Sequence, residues 1–109
     1  MYHLLRIAGV VFALGLSTAA QAAGDPAQGK SKSTACQACH GAEGISSNPQ
    51  YPSLAGQHAN YIVRALKDYQ NGSRKNPIMS GMAAPLSKQD QLDIAAYFSS
   101  LKGLYTLHH

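Results

Sequence analysis

The chain has 109 residues, 13% of them charged, two cysteines and a formal net charge of +4. That length accommodates one domain, and the absence of any basic run longer than Arg74-Lys75 excludes the basic face of a nucleic-acid binder. The cysteines lie three positions apart, so a bond between them would close a tiny loop and constrain little of the unfolded chain.

Residues 1–22 read as an export signal. A short positive start ending at Arg6 precedes the apolar run IAGVVFALGL (residues 7–16), and Ala20-Gln21-Ala22 fits the small-x-small cleavage pattern. The apolar run breaks at Ser17-Thr18, short of the roughly 20 residues a spanning helix requires. The expectation is a cleaved signal, periplasmic delivery, no stable membrane insertion, and a single mature domain over residues 23–109. Such a domain draws only about 3–5 kcal/mol from its own core and needs a staple.

Asp25-Pro26 carries the signature of an N-cap followed by proline at the first helical position, predicting a helix through about residue 35. Its small, polar composition calls for a packing partner. Residues 58–71 carry Ile62, Val63, Leu66 and Tyr69 on one helical face, and Asn71-Gly72 ends the pattern. A third helix starts at Ser87, with Asp90 in a capping-box position. Leu92, Ala95, Ala96 and Leu101, joined by Tyr97 and Phe98, form its expected buried stripe, and Gly103 stands where a C′ glycine belongs. No segment alternates as a strand does, so the predicted fold is all-α, with three main helices. The intervening stretches, residues 41–57 and 72–85, are rich in Gly, Pro, Ser and Asn. Loops that long in a small domain are usually functional, and a flat apolar cofactor would give both a surface to wrap.

Cys36-Gln37-Ala38-Cys39-His40 carries the chemistry. The C-x-x-C-H order is the attachment motif of c-type haem. Two thiols one helical turn apart can add to the two vinyl groups of a porphyrin, and His40 then supplies an imidazole to the iron. A redox dithiol needs a βαβ context that is absent here. A zinc site from Cys36, Cys39, His40 and His58 suffers from the adjacency of Cys39 and His40 and lacks a second ligand pair. The sixth iron ligand is expected from the second loop, where Met79 and Met82 are the only methionines after Met1. A thioether stabilises ferrous iron and raises the potential. Spacing alone does not choose between the two. His58, heading a helix, reads as a surface or capping residue, while His3 falls in the signal and His108 and His109 in a short tail.

Over nearly all of residues 23–109 the chain resembles the class I c-type cytochromes, particularly single-haem cytochrome c553 and one half of dihaem cytochrome c4. The resemblance runs through Ala23-Gly24-Asp25, Cys36 to Gly41, Tyr51-Pro52-Ser53-Leu54-Ala55-Gly56-Gln57, Met79-Ser80-Gly81-Met82 and Leu86-Ser87 to Gly103. It implies that Met79 is the distal ligand, with Ser80 replacing the family's threonine. It further implies that the Pro52 carbonyl accepts a hydrogen bond from the proximal histidine, that Leu54 packs on the haem, and that Gly29 and Tyr97 lie where the first and last helices cross. The dihaem relatives continue into a second domain, so one covalent haem c is expected here. The implied function is electron carriage without substrate chemistry, not enzymatic catalysis. Partners would be an oxidase, reductase or dehydrogenase with an acidic docking face; Lys30, Lys32, Arg74 and Lys75 either border the haem edge and meet that face or form an ordinary solvated surface. The alternative is a fixed haem c subunit of a periplasmic oxidoreductase complex.

Overall fold

In the computed structural model, residues 8–11 and 23–103 are described. The cleavage site, His3, His108 and His109 lie outside the described residues. Five helices follow one another: α1 (Pro26–Lys32), α2 (Thr34–His40), α3 (Ala59–Asn71), α4 (Pro77–Ala83) and α5 (Lys88–Ser100), with no strand among the described residues.

The all-α expectation holds, and the helix boundaries need correcting in three places. The first helix stops at Lys32 instead of running to residue 35, and after Ser33 a second begins that carries the whole Cys36–His40 motif. Ser33 is fully buried, its hydroxyl bonded to the Lys30 carbonyl at 3.2 Å, so a side chain competes with the helical ladder at this joint. The second loop is not structureless. Asn76 caps α4 by accepting from the Ile78 and Met79 amides, both at 3.1 Å, and Pro77 occupies its first turn. Gly103 does not end α5 as a left-handed cap: Leu101 is the C-cap, and Gly103 instead lies so close to Ala55 that a Cβ there would stand 2.5 Å from the alanine methyl.

Other start and stop signals act as the sequence predicts. The Asp25 carboxylate accepts from Ala27 N at 2.9 Å, the Ser87–Asp90 capping box closes in both directions, and Gly72 ends α3 at φ 83°. Helix α5 is the centre of the molecule, with α1 against one side and α3 against another. That placement explains why Ile94 and Asp93 are buried together with Ala95, Tyr97 and Phe98, while Leu92, Ala96 and Leu101 are only half-buried.

At the α1–α5 crossing a Cβ on Gly29 would collide with the Asp93 carbonyl and stand 2.8 Å from Tyr97 Cβ, so only glycine lets the helices approach. The Asp93 carboxylate ties the crossing together. It accepts from the Asp25 amide at 2.9 Å, from Lys32 Nζ at 2.6 Å and from Gln89 Nε2 at 2.9 Å. The first loop is anchored by the Gly44 carbonyl, which accepts from Leu54 N and Ala55 N, and by Tyr97, whose hydroxyl donates to the Ala42 carbonyl at 2.9 Å.

Candidate functional site

The two loops and three helices enclose a cavity of about 540 Å³, within the roughly 300–1,000 Å³ range of small-molecule and cofactor sites. Helix α2 contributes Cys36, Cys39 and His40; the first loop contributes Pro52 and Leu54; α3 contributes Ile62, Leu66 and Tyr69; α4 contributes Met79 and Met82. The sequence-predicted residues, spread over more than 40 positions, therefore meet at one site.

Each side chain is placed by its own element. Helical spacing of three brings Cys36 and Cys39 to one face of α2, and both are free thiols lining the cavity. Burial pushes the Cys36 thiol above its ordinary pKa. His40 is buried, and its Nδ1 lies 2.7 Å from the Pro52 carbonyl oxygen. A carbonyl can only accept, so Nδ1 donates here, and in the neutral imidazole Nε2 is then the nitrogen with the lone pair. This contact is the one the resemblance implied for Pro52. Leu54 is half-buried and packs against the core.

Burial separates the two methionines. Met79 is half-buried and packed against the core, whereas Met82 is 46% exposed. Met79 and Ala83 are four residues apart and share the inner face of α4, Ala83 being fully buried.

The donor set fits a covalent haem. Two free thiols, a buried imidazole already held through Nδ1 and a thioether line a cavity whose remaining walls are largely apolar. A zinc reading does not fit: among the described residues no three His, Cys, Asp or Glu side chains converge to hold a metal ion. His58 is exposed at the start of α3, makes no capping bond and does not line the cavity.

The basic residues divide differently from the expectation. Lys32 does not border the cavity; its ammonium is held by Asp93 and by Asp90 at 3.0 Å, and that pairing raises its pKa. Lys30 and Lys75 are also absent from the cavity wall. Arg74 does reach it, with its guanidinium 4.8 Å from the centre of the Tyr69 ring. Residues that the sequence reading passed over also appear here. Gln91 of α5 donates to Gln70 of α3, and Gln70 in turn donates to carbonyls at and just past the end of α4. The only signal for them was their polar character on helix faces next to apolar stripes.

Comparison with known proteins agrees with this geometry. The cytochrome c family model matches residues 26–102. Cytochrome c4 of Pseudomonas aeruginosa is 45% identical over 96 residues, covering 88% of this chain and 48% of that protein. Cytochrome c-554(548) of Halomonas halodenitrificans is 47% identical over 81 residues, covering 72% of this chain and 98% of that protein. The crystal structure of reduced recombinant cytochrome c4 from Pseudomonas stutzeri superimposes with a TM-score of 0.71 at 47% identity, covering 75% of this chain and 48% of the other. The chain thus spans about half the length of the cytochrome c4 proteins it matches and nearly all of the c-554(548) protein.

Proposed function

This chain belongs to the cytochrome c family, and from that premise we propose that it carries single electrons between redox proteins on one covalent haem c. Cys36 and Cys39 would hold the group as thioethers, and His40 and Met79 would supply nitrogen and sulfur donors to its iron. The observation that supports this most directly is the His40–Pro52 hydrogen bond, which engages Nδ1 and leaves Nε2 as the nitrogen available for ligation in a cavity that Met79 also lines. When bound, the haem supplies an iron that gains and loses one electron.

The chain's own residues then set the conditions. His40, oriented by Pro52, is a strong and fixed donor. Met79 favours the reduced state and raises the potential. With His40 and Met79 both holding the iron, a small molecule would have to displace a side chain to bind it, which suits carriage rather than catalysis. Leu54, Ile62 and Leu66 keep water from the interior. Residues 1–22 would direct export to the periplasm and be removed there.

Tyr61, Ile78 and Met82 line the cavity and are 50%, 57% and 46% exposed, giving it an apolar rim. That rim favours contact with a partner's surface around the haem edge. It also favours the second reading, in which the chain is a fixed haem c subunit of a periplasmic oxidoreductase complex.

The test is an absorption spectrum of the protein exported together with the haem-attachment machinery, oxidised and reduced, with an intact mass. The expected result is a c-type spectrum with the near-infrared sulfur-to-iron band, lost in Met79→Ala and kept in Met82→Ala. The mass should be that of residues 23–109 plus one haem. A protein without covalent haem would overturn the proposal.

A further inference from the structure

Helix α4 is short, lies between two turns, and carries the methionine that the proposed function makes an iron ligand. Something must fix its rotation, because a seven-residue helix has little stability of its own. Gln70, on α3 one turn beyond the cavity residue Leu66, reaches the end of α4. Its Nε2 donates to the Ala83 carbonyl and to the Leu86 carbonyl, both at 2.8 Å. These are carbonyls at and just past the helix end, where intrahelical donors run out.

The orientation of this amide is settled by its partners. Two carbonyls face one end of Gln70, so that end is the nitrogen and Oε1 points the other way. There it accepts from Gln91 Nε2, again at 2.8 Å. Gln91 is 2% exposed, and its own Oε1 has no hydrogen-bond partner among the described residues. Turning the Gln91 amide over would set oxygen against oxygen. The buried Gln91 amide thus holds the Gln70 oxygen through its one donor contact, while its own oxygen has no partner among the described residues.

Resting on the assignment of Met79 as ligand, we propose that Gln70 and Gln91 form an amide clamp that positions α4 and so holds the Met79 thioether in the cavity. Met79 lies one turn before Ala83 on the same inner face. A bond that fixes the Ala83 carbonyl therefore fixes the direction in which Met79 projects. Gln70 is a positioning residue, and Gln91 acts through it.

The experiment uses the haem-loaded protein and adds imidazole, which competes with a methionine ligand. Loss of the sulfur-to-iron band reports displacement. In Gln70→Met and in Gln91→Met, imidazole should bind about tenfold more tightly than in the parent, the scale set by one net hydrogen bond acting on the bound-methionine population. Asp93→Asn, on the opposite side of α5, should lower thermal stability while leaving imidazole affinity unchanged. That contrast separates positioning from general destabilisation. Met79→Ala, which should lack the band before any imidazole is added, tests the ligand assignment alone. If Met79→Ala loses the band but both glutamine variants bind imidazole like the parent, the clamp is overturned. If Met79→Ala keeps the band, the ligand assignment falls, and the clamp with it.

Discussion

Asp93 has 2% of its surface exposed and is nevertheless charged, because three donors surround its carboxylate. The Asp25 amide and then the Lys32 ammonium are the main causes that hold its pKa down, at about 2 against an ordinary 3.8. A depressed carboxylate stabilises the fold fully above its unfolded pKa and loses that contribution as pH falls through the folded one. The window is therefore about pH 4 down to pH 2. Asp93→Asn should lower stability at pH 7 by about 2 kcal/mol and flatten the acid limb of the stability curve in that window. Denaturant titrations at a series of pH values check both. An unchanged acid slope in the variant would place the effect on other carboxylates. The lysine side of this pair was illegible in the sequence, because Lys30-Ser31-Lys32 beside a haem motif looks like a docking patch. Which acid faces Lys32 depends on a helix 60 residues away. The chemistry of Cys36, Cys39 and His40 was legible because thioether attachment and ligation impose a fixed spacing on adjacent residues.

Among the helices, α1 and α4 begin with the same device, an Asx cap followed by proline. The Asp25-Pro26 pair was readable as a helix start, whereas Asn76-Pro77 was hidden by Gly81 and Pro85 in a stretch with the composition of a loop. A short helix needs only its cap and a packing surface, and the surface here belongs to the cavity. Asn76 accepts from the amide of Met79 itself, so the cap acts on the residue that matters. Asn76→Ala should cost about 1 kcal/mol, felt locally. Hydrogen exchange at the Ile78 and Met79 amides should accelerate several-fold while the α5 amides stay protected. Uniform acceleration throughout the protein would show that α4 does not open independently. The Gln70–Gln91 pair was equally illegible, since an amide on a helix flank reads as solvated surface until the neighbouring helix is in place.

At the scale of the whole molecule, the protein-only core is small. Among the described residues the buried hydrophobic ones are Ala55, Ile62, Leu66, Ala83, Ile94, Ala95, Tyr97 and Phe98, three of them alanine. Beside them lies a cavity of about 540 Å³. So little apolar volume does not stabilise a domain of this size unaided. The Cys36→Ser, Cys39→Ser double variant, which cannot form thioethers, should show far-UV circular dichroism of a largely unfolded chain. Native-like helicity in that variant would mean that the polypeptide core suffices without the covalent bond. The α1–α5 crossing also sets an order of events. The bond from the Asp25 amide to Asp93 spans 68 residues, and α1, seven residues long and interrupted after Lys32, has nothing to rest on until α5 exists. A chain made from its N-terminus exposes Cys36 and Cys39 long before that partner is synthesised. The closing of the two ends of the chain is a contact of high sequence separation, whose loop-closure cost must be met before the contact stabilises anything.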